Sequence, residues 1–185
     1  MAGTAKPRWY AHLPNALTIG RLLVIPPFVA VLALADDSRS WLAGSIFGAA
    51  ALTDQIDGWL ARRWHLESRF GMFADPLADR LLIDAAVIVL FIDHRVHWAG
   101  LAIIALRDVL MIAGARLAVP RGYAFSVSTL GKLATWVLYT GVAMTMITAR
   151  GTLWPAAIFW AGVGLSVAAA VLYGYSARRQ LRPTA

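Results

Sequence analysis

Six apolar stretches of about twenty residues each divide almost the whole chain, and short polar turns separate them. A helix of about that length crosses the hydrocarbon core of a bilayer. The stretches cover residues 15–35, 41–63, 70–92, 98–118, 129–149 and 154–175. The pattern therefore predicts an all-α integral membrane protein with six transmembrane helices.

The composition favours the same fold class. Of the 185 residues, 59% are hydrophobic and 15% are charged, whereas a soluble domain is about half apolar and a quarter charged. The net charge is +7, and an excess of Lys and Arg is typical of the cytoplasmic loops of membrane proteins. We therefore expect a lipid bilayer and no nucleic acid as partner. The absence of cysteine excludes disulfides and thiolate metal sites.

The distribution of basic residues predicts the orientation. An even number of spans puts both termini on one side, and most of the turn and terminal basic residues fall on that side. They are Lys6, Arg8, Arg62, Arg63, Arg69, Arg116, Arg121, Lys132, Arg178, Arg179 and Arg182, against Arg39, Arg95 and Arg150 on the other side. The positive-inside rule then places both termini in the cytoplasm. We expect a single multi-pass domain over 1–185 in the inner (plasma) membrane, with an interfacial segment at 1–14 before a six-helix core at 15–176.

Four aspartates interrupt the second and third stretches. Asp54 and Asp57 are three residues apart, and Asp75 and Asp79 are four apart, so each pair lies on one helix face. Ionisable groups at membrane depth are costly and usually serve a function. If the two helices form an antiparallel pair that turns near Leu66, residues equally far from the turn lie side by side. Asp57 then lies beside Asp75, and Asp54 lies beside Asp79. The spacing predicts one cluster of four carboxylates, roughly 13–20 Å along the helices from the turn.

Small residues are predicted to face each other below this cluster. The same count sets Gly58 opposite Ala74 and Ala61 opposite Gly71. Small residues let helices approach closely in membranes. We therefore expect the second and third helices to be tightly paired there.

A cluster of four carboxylates suits hard divalent cations. Unpaired carboxylates this close cannot all stay ionised, and oxygen ligands without His or Cys favour Mg²⁺ or Mn²⁺. Two such ions would stabilise the attacking and leaving oxygens of an in-line displacement. Arg62 could add a bidentate phosphate contact. The spacing alone thus predicts a two-metal site for a diphosphate at a membrane surface.

These residues resemble the signature of the CDP-alcohol phosphotransferase family, D-x2-D-G-x2-A-R-x8-G-x3-D-x3-D. The fixed positions are present as Asp54, Asp57, Gly58, Ala61, Arg62, Gly71, Asp75 and Asp79. The resemblance implies six transmembrane helices and transfer of a substituted phosphate from a CDP-linked donor to an alcohol, with release of CMP. Family members often form dimers, so it also allows a homodimer.

The resemblance further implies residue roles. Asp54, Asp57, Asp75 and Asp79 would hold the two Mg²⁺ or Mn²⁺ ions, and Asp79 would also act as the base that deprotonates the acceptor hydroxyl. The positions that match contacts to the CDP part are Asn15, Thr18, Asp54, Gly58, Ala61, Arg62, Ser68 and Gly71.

Other segments resemble one branch of the family, the bacterial phosphatidylglycerophosphate synthases and related cardiolipin synthases. They are residues 13–21, 68–71, 107–108 and 128–132. The branch implies phospholipid biosynthesis with CDP-diacylglycerol as donor and glycerol 3-phosphate as acceptor, or phosphatidylglycerol as the alternative acceptor. Arg21, Arg107 and Lys132 are candidates for binding the acceptor phosphate. Many phosphatidylglycerophosphate synthases carry Arg-Glu where this chain has Arg107-Asp108, so the acceptor stays open.

Structural roles compete at several charged positions. Arg80 and Asp84 have the spacing of an intrahelical ion pair and could pair with each other, so we expect a structural role for them. Arg107 could pair with Asp108 instead of binding an acceptor, and Lys132 could be a snorkelling lysine. A small cation transporter and a silent membrane scaffold are the alternatives outside the transferases.

Overall fold

Six α-helices make up the part of the chain that the computed structural model describes. It describes the backbone of residues 13–36, 39–64, 71–118 and 129–180, and the side chains of residues 19–20, 22–36, 39–53, 80–114, 116 and 129–176. The helices are α1 (Leu13–Ala33), α2 (Trp41–Trp64), α3 (Gly71–Ile92), α4 (Trp98–Ala118), α5 (Thr129–Ile147) and α6 (Leu153–Gln180). The predicted all-α class is confirmed, and every apolar stretch forms one helix.

Local sequence signals explain where the helices begin and turn. The Ser40 hydroxyl accepts a 3.0 Å hydrogen bond from the Ala43 N–H at the start of α2, which is the usual geometry of an N-cap. Gly151 lies between α5 and α6 with a φ of 85°, a conformation that glycine adopts at little cost. Pro26 and Pro27 lie inside α1, and the helix continues through them.

The three turns α1–α2, α3–α4 and α5–α6 meet at one end of the bundle. The hydrogen bonds that join them among the described residues include Ser40 N–H to the Met146 carbonyl (2.8 Å), Arg95 Nη2 to the Thr148 carbonyl (2.6 Å) and Arg150 Nη2 to the Asp93 carbonyl (2.9 Å). Since neighbouring helices run in opposite directions, the end of α2 and the start of α3 lie at the other end of the bundle.

The closest helix pair is α5 and α6. A Cβ added to Gly141 would lie 2.6 Å from Cα of Phe159, and one added to Gly162 would lie 2.6 Å from Cα of Leu138. The two glycines therefore let each backbone touch the other. Without these glycines the helices could not approach so closely.

The buried core ties the first three helices to this pair. The rings of Phe28 in α1 and Phe47 in α2 lie 5.8 Å apart, and Phe47 lies 5.2 Å from the ring of Tyr139 in α5. Leu82 and Val87 of α3 are buried in the same cluster. This core holds α2 and α3, which carry the four aspartates, against the rest of the bundle.

Much of the outer surface is apolar. Large exposed hydrophobic side chains include Leu106, Val109 and Leu110 on α4, and Val171 and Leu172 on α6. Soluble monomers rarely expose apolar patches that are so extensive. Within the described residues, Thr129–Ile147 and Leu153–Ser176 are each long and apolar enough to cross a bilayer by length and composition.

Candidate functional site

The four aspartates of the signature lie on two helices that contact each other. Asp54 and Asp57 belong to α2, and Asp75 and Asp79 belong to α3. Because both segments are helical, each pair shares one face of its helix. The side chains of all four are not among those that the structure describes. The expected proximity of Asp57 to Asp75 and of Asp54 to Asp79 therefore stays a prediction.

Two other predicted site residues lie at the end of the bundle where α2 ends and α3 begins. Gly71 is the first residue of α3, and Lys132 is an exposed residue in the first turn of α5. For several positions the structure gives the helix alone: Asn15, Thr18 and Arg21 in α1, and Gly58, Ala61 and Arg62 in α2. Ser68 lies outside the described residues.

A partly buried charge cluster begins at the residue that follows Asp79. Nη1 of Arg80, the residue after Asp79, lies 3.2 Å from Oδ1 of Asp108 and 3.4 Å from the Asp108 carbonyl oxygen. Nη1 of Arg107 lies 3.0 Å from the same Oδ1. Asp108 is 9% exposed at its side chain, against 23% for Arg80 and 17% for Arg107. We call these three residues the α3–α4 clasp.

The clasp corrects one sequence-based expectation. Arg80 pairs across helices with Asp108, not within α3 with Asp84. The two partners are 28 residues apart, so no spacing within one helix could have revealed the contact. The interhelical link is the feature of this region that sequence reasoning missed.

Arg107 does form the predicted pair with Asp108. Its Nε and Oδ1 of Asp84 are both buried, and neither has a hydrogen-bond partner among the described residues. An unsatisfied buried polar atom is costly and calls for an explanation, such as a water or a functional role. The pairing leaves the acceptor-binding role of Arg107 a prediction.

The donor chemistry at the aspartates fits a hard divalent cation. The signature supplies only carboxylates, two from each of two contacting helices. Mg²⁺ and Mn²⁺ favour such oxygen ligands and complete their coordination with substrate phosphates. An all-helical bundle with an apolar surface and four aspartates on two contacting helices favours one class of protein, the helical enzymes that transfer phosphate-linked groups near a membrane.

The chain belongs to the CDP-alcohol phosphatidyltransferase family, whose pattern it matches over residues 11–168. It is similar to the CDP-diacylglycerol--glycerol-3-phosphate 3-phosphatidyltransferases of Escherichia coli K12, Shigella boydii and Shigella sonnei. Each is 33% identical over 163 residues, which cover 77% of this chain and 90% of the relative.

These matches confirm the family that the signature indicated, and with it the assignment of the protein as a phosphatidyltransferase of phospholipid biosynthesis. They favour transfer chemistry over the transporter and scaffold alternatives.

Proposed function

We propose that the protein transfers a phosphatidyl group from CDP-diacylglycerol to the 1-hydroxyl of glycerol 3-phosphate. The products are phosphatidylglycerophosphate and CMP. The observation that carries this proposal is the complete signature on α2 and α3, together with relatives of that name matched over 90% of their length.

In this reaction the acceptor oxygen forms a bond to the phosphorus that carries the diacylglycerol. The bond from that phosphorus to the oxygen of CMP breaks, and CMP leaves with the electron pair. Asp79 takes the proton of the attacking hydroxyl as the general base. All atoms and charges are then accounted for without a further reactant.

Asp54, Asp57, Asp75 and Asp79 would hold two Mg²⁺ or Mn²⁺ ions. When bound, such ions stabilise negative charge on the attacking and leaving oxygens. The resemblance to the family implies a dependence on divalent metals, and four carboxylates without His or Cys suit these two cations.

The substrates would bind at the end of the bundle opposite the three joined turns. We assign the CDP part to Asn15, Thr18, Asp54, Gly58, Ala61, Arg62, Ser68 and Gly71. We assign the acceptor phosphate to Arg21, Arg107 and Lys132, since cations stabilise a bound phosphate. Lys132 is exposed at the start of α5, where a soluble acceptor can reach it.

All six helices would span the inner membrane, with both termini and the site on the cytoplasmic side. The exposed apolar side chains of α4 and α6 support a lipid-facing surface. The hydrogen bonds of Arg95 and Arg150 join their turns at one end of the bundle, and we assign that end to the outer side because basic residues are sparse there. The acyl chains of the donor would stay in the bilayer. A single domain over 1–185 and a homodimer remain predictions.

A two-acceptor assay tests the proposal. Purified protein receives CDP-diacylglycerol and Mg²⁺ or Mn²⁺, with labelled glycerol 3-phosphate in one reaction and labelled phosphatidylglycerol in another. We expect labelled phosphatidylglycerophosphate and an equal amount of CMP in the first reaction. Cardiolipin from the second reaction alone would assign the protein to the cardiolipin synthases, and no CMP in either would refute phosphatidyl transfer.

A further inference from the structure

The α3–α4 clasp lies one residue from the proposed base. Arg80 follows Asp79 directly, and its guanidinium contacts both the side chain and the main-chain carbonyl of Asp108. We propose that Asp108 is a positioning residue, which holds α3 at the rotation and depth that place Asp79 at the attacking hydroxyl. This inference rests on the proposed function of Asp79.

The helix geometry lets the clasp act without blocking the site. Asp75 and Asp79 form one i, i+4 row on α3, and Arg80 and Asp84 form a second row. Successive residues of an α-helix are about 100° apart around the axis. The ion pair of Arg80, which lies in the second row, therefore restrains the rotation of α3 about its axis. It does not involve the row of Asp75 and Asp79, which stays available to substrate.

Helix α4 can serve as the fixed partner. It packs against α6 as well as α3, and a ring carbon of Phe159 in α6 lies 2.7 Å from the Cβ position of Gly100. Ile104, one turn before Asp108, is buried in the core. Asp108 thus links α3 to a helix that is also held by α6.

The charges make Asp108 the central member of the clasp. Its Oδ1 forms ion pairs with two guanidinium groups, that of Arg80 in α3 and that of Arg107 in α4. Without that carboxylate, two partly buried like charges would face each other, and each would lack its partner. Asp84 is in neither ion pair, and its buried Oδ1 has no hydrogen-bond partner in the described part of the chain. We expect loss of the Asp108 charge to let α3 move away from α4.

Kinetics give the first test. A displacement of about 1 Å can reduce a rate about 100-fold, so we expect Asp108→Asn to lower kcat by about 10- to 100-fold. The KM values for CDP-diacylglycerol and glycerol 3-phosphate should stay near those of the wild type. Asp108→Glu keeps the carboxylate and should retain more activity than Asp108→Asn. Asp84→Asn is the comparison variant, because it removes a neighbouring carboxylate that belongs to neither ion pair of the clasp, and it should lower kcat less than Asp108→Asn does.

A double-mutant cycle links the effect to Arg80. If the two residues act through one contact, Arg80→Met combined with Asp108→Asn should lower kcat no further than the stronger single substitution. If the double variant instead lost kcat by the product of the two single losses, the contact between Arg80 and Asp108 would not be the cause of the lower kcat, and the proposal would be overturned. A rise in the KM for glycerol 3-phosphate at unchanged kcat would also overturn it, because Asp108 would then act through Arg107 on acceptor binding.

A distance measurement tests the clasp without catalysis. The chain has no cysteine, so single cysteines at the exposed positions Ile88 on α3 and Ile112 on α4 can carry spin labels. We expect Asp108→Asn to shift or broaden the distance distribution, and Asp84→Asn to change it less. An unchanged distribution in Asp108→Asn would overturn the proposal. If the wild type makes no phosphatidylglycerophosphate, the proposed function fails, while this measurement still reports on the clasp.

Discussion

Gly162 in α6 touches the backbone of Leu138 in α5: a Cβ added to the glycine would lie 2.6 Å from the leucine Cα and 2.6 Å from its nitrogen. Backbone atoms cannot move aside as the end of a flexible side chain can. We therefore expect Gly162→Ala to force the helices apart and to lower stability by about 1–3 kcal/mol. Thermal unfolding in detergent measures the loss.

Gly164 provides the control for that prediction. It lies two residues along the same helix, and no atom of the described residues lies within 4 Å of its Cβ position. Alanine is favoured over glycine inside a helix by up to about 1 kcal/mol. Gly164→Ala should therefore keep or raise the unfolding temperature. Equal losses in the two variants would show that the close backbone contact is not what limits stability.

The proposed base gives the second prediction. General base catalysis contributes about 10²- to 10⁴-fold to a rate, and we expect Asp79→Asn to lower kcat by about that factor. CMP release from CDP-diacylglycerol and glycerol 3-phosphate measures the effect. Titration with Mn²⁺, followed by its paramagnetic resonance signal, shows whether the metals still bind. Activity near that of the wild type with full metal binding would refute the base assignment.

The metal requirement gives the third prediction. Four carboxylates from α2 and α3 would repel one another without a bound cation. We expect a chelator to stop CMP release, and excess Mg²⁺ or Mn²⁺ to restore it. Asp57→Ala should weaken metal binding, so that more metal is needed for half of the maximal rate. Undiminished activity after exhaustive chelation would contradict a metal site.

The joined turns at the far end of the bundle give the fourth prediction. Arg95 donates a hydrogen bond of 2.6 Å to the Thr148 carbonyl. A hydrogen bond from a charged group contributes about 1.5–3 kcal/mol, so Arg95→Met should lower the unfolding temperature. The turn lies at the end of the bundle opposite the proposed site, and the KM and kcat of the folded protein should not change. A specific loss of kcat in a stable Arg95→Met protein would show that this end is coupled to catalysis.

The sequence predicted the six helices closely because each apolar stretch is long and ends at a clear polar turn. The stretches 41–63 and 98–118 form α2 (Trp41–Trp64) and α4 (Trp98–Ala118) with almost the same bounds. The signature likewise indicated the family, since its spacing is local along two adjacent helices.

Contacts between segments that are far apart in the sequence could not be predicted in the same way. The spacing of Arg80 and Asp84 suggested an intrahelical pair, but the position of α4 decided the outcome and brought Asp108 to Arg80. Nothing in the local sequence of α3 encodes the rotation of α4. The close contact of Gly141 with Phe159 also depends on the packing of two whole helices.

The acceptor site gives the last prediction. Lys132 is an exposed cation in the first turn of α5, at the end of the bundle where α2 ends and α3 begins. If it binds the acceptor phosphate, Lys132→Met should raise the KM for glycerol 3-phosphate about tenfold or more, the factor that corresponds to a loss of about 1.4 kcal/mol. The KM for CDP-diacylglycerol should not change. Arg116→Met is the control, since Arg116 is also exposed and lies in the last turn of α4. Equal shifts in both variants would indicate a general effect of surface charge on an anionic substrate and would remove Lys132 from the acceptor site.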